Sequence, residues 1–324
     1  MGAGIRIAAA AFAASIWFAS GGGMQAQEKA AQDRTTVVLG TATPGGGFPL
    51  YGAAFAEAVN AADPTLHIVT KNTKGSTENI PLLDEGMLDI GLVQGEAAHE
   101  VFFGKKPRDL KIITAMYSTA GMFVVRADSP YKSISDLVGR RVAFGARGSG
   151  LVILSRFVLD GLGLDQDKSF AAVYLDRAGD GPAMVLDGSV AALWGGGVGW
   201  PGFTTMTKAP GGARFIAPSA EEIKQIRERH PFLKEVTMPA NSYPGQDKDI
   251  PSVGSWSFVL AGPKLDNEVA YRLARAIHKA EPALGQKLAQ ARETTMKNTV
   301  RAAPTPDAIH SGVLRYLIEI NALR

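Results

Sequence analysis

Two glycine-rich turns near the start of the chain contain residue types that can hold a small anion. Residues 39–48 and 74–77 each join a predicted strand to a predicted helix. Hydroxyl side chains can donate hydrogen bonds there, glycines let the backbone approach a ligand, and helix N-termini add unsatisfied N–H groups and partial positive charge. The structural alternative is a plain tight turn. Ser76 is predicted as the N-cap of the second helix, either alone or together with a ligand role. The pattern predicts an anion site formed by Thr41, Thr43, Gly46, Gly47, Ser76 and Thr77.

A third glycine turn, residues 146–150, gives the second half of the chain a similar pattern. Arg147 lies in this turn, and a guanidinium can hold a carboxylate through two parallel hydrogen bonds. A solvated surface arginine is the alternative. The sequence predicts that Arg147, Gly148, Ser149 and Gly150 contact the ligand from the second half of the molecule.

Gln94 and three aromatic residues complete the predicted site. Gln94 ends an otherwise apolar strand, where a buried amide needs hydrogen-bond partners, and its NH₂ group can bind a carboxylate. Small-molecule sites are mostly apolar with few polar anchors, so Phe48, Tyr117 and Trp200 are predicted as cleft walls. Ordinary core packing is the alternative for each aromatic ring.

The elements that position these residues alternate between strands and helices. The first half reads as strands at 35–40, 67–72 and 88–94, helices at 50–61 and 78–85, and further strands at 112–116 and 122–126. A similar order begins near residue 129, with a strand at 141–145 and a helix at 151–159. An amphipathic helix at 267–279 is predicted to return to the first domain. We therefore expect an α/β protein with one domain at 35–126 plus 253–324, a second at 127–252, and a ligand cleft between them.

Composition excludes several classes of protein. The net charge is +3 and the basic residues are not clustered, which argues against a nucleic-acid surface. The chain has no cysteine, so disulfides, thiolate nucleophiles and cysteine-ligated zinc are excluded. The five histidines have no metal-ligand spacing. The usual dinucleotide, phosphate-loop and nucleophile-elbow motifs are missing, so the sequence predicts no cofactor, no metal and no enzymatic activity.

The first residues have the order of a secretory signal. Arg6 precedes an apolar stretch at 7–19, which is too short to span a bilayer of about 30 Å, and small residues follow. We expect a signal peptide at 1–26 cleaved after Ala26, a flexible leader at 27–34, and a periplasmic, monomeric mature protein with no membrane insertion. A membrane-tethered N-terminal helix is the alternative.

Seven segments, in this order, resemble the TAXI class of solute-binding proteins, the extracytoplasmic receptors of tripartite ATP-independent periplasmic (TRAP) transporters. They cover most of the chain beyond the signal, and their order and spacing are more specific than any one segment. The segments are residues 39–46 with Phe48, 75–79, 88–94, 135–142, 148–150, the glycine-rich loop ending at Trp200 and Pro201, and 243–251.

The resemblance implies a two-domain type II periplasmic-binding fold, a hinged cleft that closes on its ligand, and docking to TRAP permease subunits. It also implies a small organic anion of the amino-acid, dicarboxylate or 2-oxo-acid class. The chain departs from the family pattern in the first turn, where Thr43 replaces a serine and Phe48-Pro49 replace a tyrosine pair. A receptor of the same fold that serves a sensor kinase, and an exported α/β enzyme, are the alternative functions.

Overall fold

The computed structural model describes Met1 and residues 34–323. Its first part alternates strands and helices, because apolar strand residues are separated by glycine turns that start helices. Strand β1 pairs in parallel with β2 on one side and with β3 on the other. The elements are β1 (Thr35–Gly40), α1 (Gly47–Ala62), β2 (Leu66–Lys71), α2 (Ser76–Glu85), β3 (Ile90–Val93) and α3 (Gly95–Phe103).

Two long antiparallel strands connect the two halves of the molecule. They are β4 (Lys111–Arg126) and β10 (Ile250–Ala261). The first part of β4 pairs with β10, and the remainder pairs with strands of a second sheet. Strand β10 in turn pairs with β3. These crossing strands give the sheet the order β2-β1-β3-β10-β4, continued by β7 (Ala192–Gly196), β5 (Arg141–Ala146) and β6 (Ala171–Leu175).

The second half repeats the strand-turn-helix alternation. Strand β5 pairs in parallel with β6 and β7, while β8 pairs with β4 and β9 pairs with β10. The elements are β5 (Arg141–Ala146), α4 (Gly150–Gly161), β6 (Ala171–Leu175), α5 (Gly181–Leu186), β7 (Ala192–Gly196), α6 (Pro201–Lys208), β8 (Ala213–Ile216), α7 (Ala220–Arg229) and β9 (Lys234–Met238).

Three helices follow β10, namely α8 (Asn267–Lys287), α9 (Met296–Ala302) and α10 (Ser311–Glu319). They return to the first half, since Ile277 of α8 and Leu317 of α10 are buried in one cluster with Tyr51 and Phe55 of α1. Hereafter the first lobe means β1–β3 with α1–α3 and α8–α10. The second lobe means β5–β8 with α4–α7 and the loop that leads into β9.

The second lobe has its own apolar core. Phe123 of β4, Phe144 of β5 and Trp194 of β7 are fully buried there. The Phe123 and Trp194 rings meet edge to face with centroids 4.8 Å apart. Each lobe therefore buries a separate set of side chains, and the crossing strands join them.

The structure confirms the α/β fold class and most predicted elements; three of the differences have a clear local cause or bear on the site. Residues 111–126 form one continuous strand instead of two, because glycine at 121 continues the pairing rather than interrupting it. The N-cap of α2 is Gly75, with no side-chain cap, so the N-cap prediction for Ser76 is wrong. Helix α1, which follows the first glycine turn, begins at Gly47, three residues before the predicted start.

Two predictions lie beyond what the structure tests. The signal peptide at 1–26 and nearly all of the leader at 27–34 lie outside the described residues. The domain limits of 35–126 plus 253–324 and 127–252 stay a prediction. Within residues 34–323, no helix combines the length and apolarity needed to cross a membrane.

Candidate functional site

A small cavity lies between the two lobes where the three glycine turns meet. The volume of the cavity is about 50 Å³. A cavity needs roughly 10–15 Å³ of the same kind of volume to hold one water molecule. No charged side chain belongs to its lining among the described residues. The lining residues that the sequence predicted are Thr43, Gly46, Gly47, Phe48, Gln94, Tyr117, Ser149, Gly150 and Trp200.

Helix N-termini from both lobes converge on this cavity. Helix α1 begins at Gly47 after the N-cap Gly46, which provides no side-chain cap. Helix α4 begins at Gly150, and its N-cap Ser149 accepts a hydrogen bond from the Leu151 N–H. First-turn N–H groups have no acceptor within their own helix and carry the positive end of its dipole. An anion in the cavity would therefore meet backbone donors from two sides.

Gln94 supplies the most specific polar group of the site. The residue is 3% exposed, and its Nε2 has no hydrogen-bond partner among the described residues. Its own backbone N–H donates to the Ser76 Oγ at 3.0 Å, which fixes the end of β3 against the start of α2. A buried amide without partners costs about 1–3 kcal/mol, so this NH₂ group is available to a ligand in the cavity. It also lies near the buried carboxyl of Glu96, whose charged form it favours.

Tyr117 and Trp200 enclose Gly47 from the sides. A Cβ built on Gly47 would lie 3.2 Å from the Trp200 Cδ1 and 3.5 Å from the Tyr117 hydroxyl oxygen. Burial raises the pKa of Tyr117, so its hydroxyl keeps its proton and can donate. The sequence predicted Tyr117 as an apolar wall, and the structure adds a phenolic donor in the region where Phe48 lacks one.

Contacts between the lobes close the mouth of the cavity. The N–H and Oγ1 of Thr77 donate to the Gly148 carbonyl oxygen at 3.2 and 3.0 Å. The Ala178 N–H donates to the Thr43 Oγ1 at 3.3 Å. Gly45 lies so close to Gly179 that an added Cβ would be 2.5 Å from the Gly179 Cα. These contacts hold the two lobes against each other in the structure.

Five predicted ligand residues lie outside the cavity lining. The Thr41 hydroxyl is buried and donates to the Lys71 carbonyl at 3.2 Å. Ser76 supports Gln94, and Thr77 and Gly148 form the contact at the mouth. Arg147 is exposed, with its guanidinium carbon 5.5 Å from the centre of the Tyr174 ring. The backbone of this turn faces the cavity, whereas the Arg147 side chain points to the surface.

The structure adds lining residues that sequence reasoning missed. Thr119 follows Tyr117 by two positions on β4 and shares its face, so strand periodicity could have identified it. Ala178 reaches the cavity from the turn between β6 and α5, and no local signal marks it. The remaining additions are Ala42, Gly75, Gly145, Ala146, Leu151, Leu193 and Gly196.

A buried carboxyl lies just behind the site, at Glu96 in the first turn of α3. The side chain is fully buried; its Oε1 accepts a hydrogen bond from the Ser255 hydroxyl at 2.6 Å, and its Oε2 has no partner among the described residues. Burial raises the pKa of Glu96 to about 7. The group therefore holds its proton in mildly acidic solution, and no signal in the sequence had separated it from surface glutamates.

Two α/β lobes, crossing strands and a cavity between the lobes define a two-domain periplasmic solute-binding protein fold. The chain belongs to the NMT1-like family, whose model matches residues 39–320. The family match covers most of the chain, and the prediction of a periplasmic solute-binding protein-like fold is confirmed.

Solved structures agree with this fold. The chain is similar to the periplasmic aliphatic sulphonate binding protein SsuA from Escherichia coli, with 17% identity, a TM-score of 0.50, and coverage of 87% of this chain and 82% of that chain. SsuA from Xanthomonas axonopodis pv. citri bound to MOPS gives 16% identity and a TM-score of 0.51, covering 88% and 84%. A protein from Bordetella bronchiseptica RB50 gives 13% identity and a TM-score of 0.58, covering 89% and 99%.

Proposed function

We propose that this protein captures a small organic anion in the cleft and delivers it to the permease subunits of a TRAP transporter. The observation that carries the binding proposal is the unpartnered Gln94 Nε2, buried at a cavity where two helix N-termini converge. Membership of the NMT1-like family supports the transport role, and the TAXI-like segments support the TRAP class. Capture of this kind requires no covalent step.

The lining favours some anions within the proposed class. The ammonium of an amino acid would need a carboxylate partner, and no acidic side chain lines the cavity among the described residues. Backbone N–H groups, the Gln94 amide and the Tyr117 hydroxyl are all donors that suit a carboxylate or sulfonate. We therefore expect compact 2-oxo acids, other small carboxylates and small sulfonates to bind more tightly than amino acids.

Ligand capture would work by lobe closure. A ligand held by Gly47 of the first lobe and Gly150 of the second stabilises the closed form relative to the open one, because only the closed form makes both sets of contacts. The sequence predicts the hinge at residues 125–128 and 251–255. In the structure β4 changes its pairing from β10 to β7 between Ala120 and Gly121, so we place the crossing of β4 there and that of β10 near Gly254. Contacts such as Thr77 with Gly148 would form only on closure.

A thermal-shift screen tests the binding proposal. The purified protein would be heated with amino acids, dicarboxylates, 2-oxo acids and sulfonates, since a ligand that binds the folded state raises the melting temperature. We expect a clear shift with one class of small anion. No shift with any compound, and no small molecule released from denatured protein in mass spectrometry, would refute the proposal.

Substitution of Gln94 locates the ligand. Gln94→Leu keeps the volume and removes the donor, so it should weaken binding of the anion found in the screen about tenfold or more. Gln225→Leu, on the exposed surface of α7, is the matched control and should leave affinity unchanged. Equal affinity in the two variants would place the ligand elsewhere.

The delivery step has a separate test. Proteoliposomes that contain TRAP permease subunits should take up the identified anion only when this protein is added. Uptake through an ATP-driven permease instead, with none through the TRAP subunits, would overturn the TRAP assignment while leaving the binding proposal intact.

A further inference from the structure

A second, larger groove crosses from the first lobe to the second, and we call it the lateral groove. It encloses about 800 Å³ and shares no lining residue with the cleft cavity. On β4, Ser118 lines the groove while its neighbours Tyr117 and Thr119 line the cavity. Successive strand residues point to opposite faces, so the crossing strand separates the two spaces.

Aromatic side chains from both lobes form the walls of the lateral groove. Phe102 and Phe103 come from α3, and Phe103 is 55% exposed. His99, also on α3, stacks on Phe232 of the second lobe with centroids 4.1 Å apart and ring planes 7° apart. Burial lowers the pKa of His99, which favours a neutral ring. Trp256 of β10 adds an indole to the lining.

Two cationic side chains at the groove have no ion-pair partner among the described residues. They are Lys234 of β9 and Arg301 of α9, both exposed. The acidic residue of the lining, Glu235, is instead engaged by Arg227 at 3.6 Å. The groove therefore offers flat apolar surfaces beside unneutralised positive charge, and its volume lies in the range of about 300–1,000 Å³ that ligand pockets occupy.

We propose that the lateral groove is a second binding site, for an aromatic carboxylate, and that its occupant holds the two lobes closed. The ring would lie against Phe102, Phe232 and Trp256, where offset and edge contacts between aromatic rings are favourable. The carboxylate would pair with Arg301 and Lys234.

Coupling to the cleft follows from the position of the walls. Helix α3 moves with the first lobe and Phe232 moves with the second, so the distance between them depends on the angle between the lobes. In the arrangement of the structure, with the lobes together, both walls line one groove. A molecule that contacts both walls therefore stabilises this closed arrangement relative to an open one. By linkage, such a molecule raises the affinity of the cleft for its own ligand by the same factor by which that ligand raises groove affinity.

Binding would be measured by calorimetry with benzoate, phenylacetate and indole-3-acetate, and with indole-3-acetamide as the neutral analogue. We expect at least one carboxylate to bind, and the amide to bind at least tenfold more weakly. Arg301→Gln and Lys234→Gln should each weaken carboxylate binding several-fold. Lys224→Gln removes an exposed charge on α7 away from the groove and should have no effect.

Lobe closure would be read directly, without any cleft ligand. Because the chain has no cysteine, His67→Cys and Gln225→Cys provide one exposed labelling position on each lobe for energy transfer. The aromatic carboxylate alone should shift the pair toward the closed-state distance, and Gln94→Leu should not abolish this shift.

Three results of these binding and closure measurements would overturn the proposal, and a fourth comes from the Gln94→Leu variant. They are no binding of any of the three carboxylates at millimolar concentration, binding unaffected by both Arg301→Gln and Lys234→Gln, and binding with no change in energy transfer. Loss of carboxylate binding in Gln94→Leu would place the molecule in the cleft and also overturn it. None of these measurements depends on the proposed transport function. Failure of the transport proposal can therefore be distinguished from failure of the lateral-groove proposal.

Discussion

Gly45 tests whether the contact between the lobes controls ligand affinity. It belongs to the first-lobe turn and faces Gly179 of the second lobe; a Cβ on Gly45 would lie 2.5 Å from the Gly179 Cα and 2.7 Å from its backbone nitrogen. Favourable contacts between carbon atoms lie at about 3.5–4.0 Å. Gly45→Ala should therefore oppose closure, because both colliding groups are held by backbone.

The magnitude follows from the cost of overpacking, about 1–3 kcal/mol. That cost applies only to the closed form, so the Kd for the cleft anion should rise about 5- to 150-fold. Gly45 also has φ of +83°, which costs an L residue about 1–2 kcal/mol in any state of the lobes. This second cost should lower the free energy of unfolding without a further effect on closure.

Two matched variants separate these effects. Gly211 has φ of +85°, and a Cβ added there would enter open space, with nothing within 4 Å. The free energy of unfolding should therefore fall in Gly211→Ala by about as much as in Gly45→Ala. The affinity of Gly211→Ala for the cleft anion should be unchanged. Gly179→Ala places a Cβ on the facing residue, 3.4 Å from the Gly45 Cα, and should close almost normally.

The assay is calorimetry with the anion found in the thermal-shift screen, together with urea unfolding of the ligand-free protein. The expected pattern is weak binding in Gly45→Ala alone and similar unfolding losses in Gly45→Ala and Gly211→Ala. Equal affinity in those two variants would refute the reasoning that closure on Gly179 governs binding.

Two further predictions concern buried polar groups near the site. Burial raises the pKa of Glu96 from 4.5 to about 7. Between pH 4.5 and 7 the folded protein therefore keeps a proton that the unfolded chain loses. The free energy of unfolding should fall by about 3 kcal/mol as the pH rises through this range. Glu96→Gln should flatten this dependence in urea unfolding from pH 4.5 to 7, and an unchanged slope would assign the effect to another group. Asn79 donates to the Thr41 and Leu92 carbonyls at 2.9 and 2.8 Å and accepts from the Thr73 hydroxyl at 2.8 Å. Asn79→Leu should cost about 3 kcal/mol of unfolding free energy, because buried partners lose their hydrogen bonds, and a loss below about 1 kcal/mol would contradict this.

The local pattern of the sequence predicted the glycine turns well because their conformations depend on nearby residues. Each of the three predicted turns precedes a helix in the structure, at Gly47, Ser76 and Gly150, although α1 begins three residues before its predicted start. Gln94 was recognisable for the same reason, as a polar residue that ends an apolar strand. These features need only short-range sterics and hydrogen-bonding rules.

Arg147 shows the limit of that reasoning. A glycine turn in the sequence indicates that the backbone passes near a ligand, but it does not determine which way the neighbouring side chain points. In the folded protein Arg147 lies over Tyr174 of β6 and leaves the cavity without a side-chain cation among the described residues.

The sequence by itself determined the alternating α/β elements, the absence of cysteine chemistry and the positions of the glycine turns that line the cavity. Tertiary structure alone decided which turns meet, since Ala178 reaches Thr43 across 135 positions of the chain. It also decided that Glu96 is buried and that His99 stacks on Phe232. The physical reason is that burial and long-range contact arise when the crossing strands bring the lobes together, and no local pattern encodes that approach.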